Sequence, residues 1–219
     1  CSACHTTPAT GGTGEQFVVR ASRFTLQDGC DTLAEVGGEN VRVRATPALI
    51  AHGIDRQPFP ADATERTRFN VPFIFGLGLV EAIPEDQILA HADPDDLDGD
   101  GVSGRPGRTV DGRFARFGRK ADQATLHEFV ELAAHLEMGL TSPGRPDEGT
   151  IAGAPFPPGT DPAPDPELTE VEVALLTDFI RYLAPPARRM GESERDRRMN
   201  ERGEELFGTI GSAACHTPY

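Results

Sequence analysis

The chain has 219 residues, enough for one or two domains, with 37% hydrophobic residues and no Trp. Its formal charge of −14 argues against nucleic acid and anionic membrane surfaces as partners. No run approaches the roughly 18 consecutive apolar residues of a membrane span.

The first five residues, Cys1-Ser2-Ala3-Cys4-His5, form a Cys-x-x-Cys-His run, the attachment signature of a c-type haem. Both thiols add to the haem vinyl groups, and the adjacent imidazole of His5 becomes the proximal iron ligand. Two intervening residues let the thiols reach one porphyrin face from a single turn. A zinc half-site would need a second ligand pair at suitable spacing, and a redox dithiol a βαβ setting; the chain offers neither. A buried porphyrin also adds apolar surface that the side chains do not supply. Covalent attachment implies export, so a periplasmic or extracellular location is expected, where disulfides persist.

Residues 6–70 read as irregular, with Gly11-Gly12, Asp28-Gly29 and Gly37-Gly38 as turns. Gln16 to Arg20 and Asn40 to Arg44 alternate like minor strands. His52 is a loop histidine, either solvated or a distal haem ligand. Phe73 to Pro84 is the most apolar run and reads as core packed against porphyrin, Gly76 and Gly78 admitting close backbone approach. A helix opens at Pro84 and runs to His91.

Asp96, Asp98 and Asp100, then Gly101 and the Val102 carbonyl, match the first half of an EF-hand loop and offer a Ca²⁺ site. The twelfth position is Gly107 instead of the closing Glu. Either an oxygen from elsewhere completes the shell or this is an ordinary Asp/Gly turn.

Residues 122–138 carry a helix with Leu126, Phe129, Val130 and Ala133 on its apolar stripe. His127, Glu131 and His135 share a neighbouring face, as solvated groups or a metal site. Glu137-Met138-Gly139 closes the helix. A Met thioether is a standard sixth haem ligand that raises its potential, although Met138 also serves as core filler. A carboxylate such as Glu137 beside an open haem position can carry the proton that O–O cleavage requires.

Thr141 to Pro166 is a Pro/Gly-rich loop, and Thr169-Glu170-Val171-Glu172 is a capping box for the next helix. That helix presents Val171, Leu175, Leu176, Phe179, Ile180 and Leu183 at core spacing and stops at Pro185-Pro186. A charged connector from Arg188 leads to a last helix over 194–210 and to Gly211-Ser212-Ala213-Ala214-Cys215-His216. Ser212 stands where a second haem motif would have its first Cys. Either Cys215 holds a second haem by one thioether with His216 proximal, or the site is degenerate. In the degenerate case Cys215 is free or bridged to Cys30.

Taken together, these pieces resemble the di-haem c-type oxidoreductases, a di-haem peroxidase family related to bacterial cytochrome c peroxidases. The resemblance runs through Cys1 to His5, Phe75 to Pro84, Ala92 to Arg105, Gly112 to Phe114, Phe117 to Ala121, Glu137 to Thr141 and Ala214 to Pro218. It covers nearly the whole chain but only the N-terminal portion of the family's length, so sequence beyond both ends, or a neighbouring chain, is expected to complete the haem pockets. The resemblance implies two mainly helical domains with one haem each and calcium near the first domain or the interface. Glu137 matches the acidic residue of the peroxidatic pocket, and Met138 its neighbour. Arg119 stands where relatives tend to carry Trp, and Phe129 where they tend to carry Gln.

The expected fold is therefore mainly α, cytochrome c-like, with long irregular loops. Residues 1–187 would form a first haem domain with its calcium-type loop, and 188–219 a linker and the start of a second. The expected function is haem-mediated electron transfer by an exported cytochrome, extending to peroxide reduction if the chain is catalytic. Its partner would be a redox protein donor or acceptor. The alternative is a non-catalytic cytochrome subunit of a larger redox or photosynthetic assembly.

Overall fold

Strand β1 (Phe17–Thr25) alternates, burying Val19 and Ala21 on one face, as a strand with one face in the core must. It is the centre of a three-stranded antiparallel sheet, between β2 (Gly29–Asp31) and β3 (Glu65–Asn70). The register sets Val18 opposite Phe69 and Arg20 opposite Thr67. The computed structural model describes residues 4–187 and 191–216; Cys1 lies outside them.

This sheet corrects the mainly helical expectation. Among the described residues about 30% are helical and 15% extended, in seven α-helices and two small sheets, and no cytochrome haem-domain fold emerges. The physical reason lies in β3, Glu65-Arg66-Thr67-Arg68-Phe69-Asn70, whose sequence lacks apolar alternation. It pairs with β1 across some forty residues, and Arg–aromatic stacking stands in for apolar contacts. The Arg68 guanidinium lies 3.6 Å from the Phe17 ring centre and that of Arg66 5.5 Å from Phe59. Asn40 to Arg44 forms no strand, although the Val41 N–H donates to the Val19 carbonyl at 2.8 Å.

A second core gathers the helices. Helix α1 (Pro47–Ala51) stands apart from it, capped by Thr46. Helices α2 (Leu77–Ala82), α4 (Leu126–Ala133) and α5 (Glu170–Arg181) meet around Ile74, Phe117, Leu126, Val130, Val173 and Ile180. Short α3 (Glu85–Leu89) follows α2, and β4 (Gly107–Arg108) pairs with β5 (Phe114–Ala115). Thr125 with Glu128 and Thr169 with Glu172 form the capping boxes of α4 and α5. The close approach at Gly78 is between helices: a Cβ there would stand 2.1 Å from the Arg181 carbonyl oxygen. Arg181 Nε donates to Glu81 at 2.6 Å across the same seam.

Helix α4 does not continue to residue 138 as an α-helix. A π-turn spans Ala134–Met138 and ends on Gly139 at φ 71°. Helix α6 (Glu194–Thr209), capped by Ser193, and α7 (Ser212–Cys215) pack on each other. None of the described side chains of α6 is buried.

Candidate functional site

Three consecutive carbonyls at the end of β3 accept from three separate parts of the chain. The Arg119 guanidinium donates to Asn70, the Thr13 hydroxyl to Val71, and His5 Nδ1 to Pro72 at 2.8 Å. His5 Nδ1 also lies 3.2 Å from the Gly12 carbonyl. A ring nitrogen held by carbonyls carries the proton, which leaves Nε2 with the lone pair for a metal. Directly after Pro72, Phe73 is 59% exposed and stacks on Phe75 with ring centres 4.9 Å apart. An oriented imidazole beside exposed aromatic surface fits an axial haem ligand, and Cys4, one residue away, is a free thiol.

Glu137 and Met138 sit at the end of the π-turn, the kind of helix irregularity that recurs at functional sites. Glu137 is solvent-accessible as a residue, yet protein atoms crowd its carboxyl group enough that burial pushes its pKa up. The charges of Arg20 and Arg119 pull it the other way. Asn40 Nδ2 donates to the Leu136 carbonyl at 2.5 Å and reaches Glu137 Oε2 at 3.3 Å. Met138 is 53% exposed, so its thioether is not core filler.

Around the acidic loop, carboxylate oxygens of Asp93, Asp96 and Asp98 lie within 4.8 Å of one another. Asp93 Oδ1 is buried without a hydrogen-bond partner, while Oδ2 accepts from the Asp98 N–H at 3.2 Å. Asp100 instead accepts from the Val102 N–H at 2.8 Å and is not one of the three. Sequence spacing missed Asp93, which precedes the EF-hand-like pattern by three positions. Only the bridge between Asp93 and Gly104, which closes the loop at its base, brings it in.

The remaining candidates do not converge. His52 is the exposed cap after α1. The buried Glu131 carboxylate accepts from Ser142 Oγ and the Gly144 N–H, both at 2.8 Å, so it anchors the following loop. His127 lies 3.8 Å from Glu131 and 3.7 Å from Glu170, and His135 does not join them. Cys30 and Cys215 are exposed free thiols, and no disulfide occurs among the described residues. The His216 ring faces Phe207 at 6.4 Å, so α6 and α7 bring an aromatic side chain to the second motif.

The imidazole held at Pro72, the thiol beside it in sequence, and the carboxyl and thioether at the π-turn are residue types that a haem-dependent oxidoreductase uses. The chain matches the family described as di-haem oxidoreductase, putative peroxidase, over residues 54–219, and it belongs to that family. The match includes Glu137, Met138, the acidic loop, Cys215 and His216, whereas Cys4 and His5 precede it. No curated protein and no solved structure matches the chain. No described helix is long and apolar enough to cross a membrane.

Proposed function

We propose that this chain is an exported c-type cytochrome that passes electrons between bound haems and reduces peroxide beside Glu137. The observation that carries this reading is the His5 imidazole, fixed through Nδ1 to Pro72 with Nε2 left for iron. Bound haem would supply one-electron redox chemistry. Cys1 and Cys4 would provide the thioethers, and His5 the proximal nitrogen. Met138 would offer its thioether sulfur to a haem iron.

Glu137 holds the proton for the reaction. Its crowded setting favours the neutral acid, and a neutral carboxyl can donate to a departing oxygen where an ionised one cannot. Asn40 donates to the group from behind, and the charges of Arg20 and Arg119 favour the carboxylate that remains once the proton has gone.

A second haem would be held by Cys215 through one thioether with His216 as its ligand; Ser212 removes a thiol but no axial group. Residues 1–187 would then form one haem-binding unit and 188–219 the start of another. Asp93, Asp96 and Asp98 would hold Ca²⁺, since the buried, unpartnered Asp93 oxygen lacks the cation that such an atom calls for. The physiological donor would be a basic redox protein drawn to the charge of −14.

The test is peroxide consumption by the intact, haem-loaded protein with an excess of reduced donor. Turnover that falls about 10²-fold or more in Glu137→Gln is the expected outcome. A haem-loaded protein that exchanges electrons but leaves peroxide intact removes the peroxidase half of the reading and leaves a cytochrome.

A further inference from the structure

Two guanidinium groups share one aromatic ring beside Glu137. Arg20 on β1 and Phe69 on β3 occupy the same face of the sheet, because Arg20 pairs with Thr67 and Val18 with Phe69. The Arg20 guanidinium lies 5.5 Å from the centre of the Phe69 ring, and that of Arg119 4.6 Å from it. Like charges this close repel: Arg119 is pushed down by burial first and by the charge of Arg20 second. Arg20 Nε is buried with no hydrogen-bond partner. An orphaned, charged donor in a protein interior calls for an acceptor. Glu137 offers at most one negative charge for these two cations.

We propose that Arg20 and Arg119, seated on Phe69, form a carboxylate clamp that receives a propionate of the haem whose iron His5 holds. This rests on the haem reading of His5. The connecting geometry is the run of accepting carbonyls: Arg119 is tied to Asn70 and His5 to Pro72. Two residues of extended chain span about 7 Å, so one porphyrin reaches from the imidazole to the guanidinium pair. A propionate in the clamp supplies the missing negative charge and an acceptor for Arg20 Nε.

The experiment is spectroelectrochemical titration of the intact holoprotein from acid to alkaline pH, for the natural chain and for Arg20→Gln. Arg20 is chosen because, unlike Arg119, it makes no bond to the 70–72 segment that positions His5. Haem content by pyridine haemochrome and intact mass comes first. A natural chain without haem overturns both this proposal and the proposed function. With haem present, the clamp predicts a lower midpoint potential in Arg20→Gln at neutral pH. It also predicts a new pH-dependent segment as the released propionate titrates. Arg20→Lys, which keeps the charge, should recover part of the shift and controls for folding. Superimposable potential–pH curves for Arg20→Gln and the natural chain overturn the clamp alone. Sodium acetate distinguishes a free anion from the propionate. A saturable acetate-dependent shift in the natural chain, lost in Arg20→Gln, would mean that the clamp takes exchangeable carboxylates and would overturn the propionate assignment.

Discussion

His5 and Pro72 are 67 residues apart in the chain, yet the imidazole Nδ1 and the proline carbonyl oxygen lie 2.8 Å apart. The contact makes the orientation of the N-terminal motif a property of the β-sheet, because Pro72 follows β3 directly. Thr13, donating to the adjacent Val71 carbonyl, is the nearest reinforcement. Thr13→Val should leave haem content unchanged and cost about 1 kcal/mol of stability, the usual worth of one such bond. Denaturant unfolding followed at the haem absorbance checks this; a loss of covalent haem would mean that Thr13 acts in attachment.

Burial makes Glu137 a weaker acid than an ordinary glutamate, so ionising it opposes folding. A carboxyl whose folded pKa is raised contributes stability below its unfolded value near 4.5 and loses that contribution as pH rises through the folded pKa. Glu137→Gln should therefore melt at a higher temperature than the natural chain at neutral pH, with the difference closing in acid. Melting curves at several pH values decide it. Equal melting temperatures at neutral pH would mean that the carboxyl is solvated and not crowded.

His135 titrates in the opposite sense. Burial, then the charges of Arg145 and Arg42, hold its pKa below the ordinary 6.5, and its Nδ1 is buried without a partner. A histidine with a depressed folded pKa stabilises above the unfolded value and loses that contribution as pH falls toward the folded one. Stability should drop as the solution is acidified below about 6.5. His135→Gln should flatten that part of the curve, and an unchanged acid limb would exclude His135 as its source.

Calcium binding at the acidic loop should depend on Asp93 more than on Asp100. Asp93→Asn should weaken binding at least tenfold by isothermal titration, whereas Asp100→Asn should have the smaller effect, because Asp100 already caps the Val102 N–H. Equal losses in the two variants would return the site to the EF-hand pattern that sequence spacing suggests.

Gly78 marks the seam between α2 and α5. Gly78→Ala places a methyl group 2.1 Å from the Arg181 carbonyl oxygen, and that backbone atom cannot swing aside. The cost should be about 1–3 kcal/mol, read as a lower denaturation midpoint. Haem binding should survive, since the seam lies between helices. A loss of haem with stability intact would instead restore the close contact with porphyrin that the apolar run suggests.

What could be read from the chain divides along the range of the interactions. The capping box at Thr169, the stripe of α4 and the extent of α6 are set by neighbours within four residues, and spacing alone exposes them; the equivalent box at Thr125 is passed over by a helix start placed at residue 122. The sheet escapes because β3 is stabilised by stacking and by a partner remote in sequence. Of the site, Glu137 and Met138 were visible as residue types at the end of a helix. Arg20, Asn40 and Thr13 were not, because each acts on a residue about sixty or more positions away or through a shared ring. Asp93 was hidden for a smaller reason, lying just outside a familiar pattern.

The π-turn at Ala134–Met138 places one more residue in its ring than a regular turn does. Each residue of an α-helix advances the direction of its side chain by about 100°. Deleting a single position within this segment would restore an unbroken helix and swing the acid and the thioether to a different side of it. The irregular turn thus decides which way Glu137 and Met138 point.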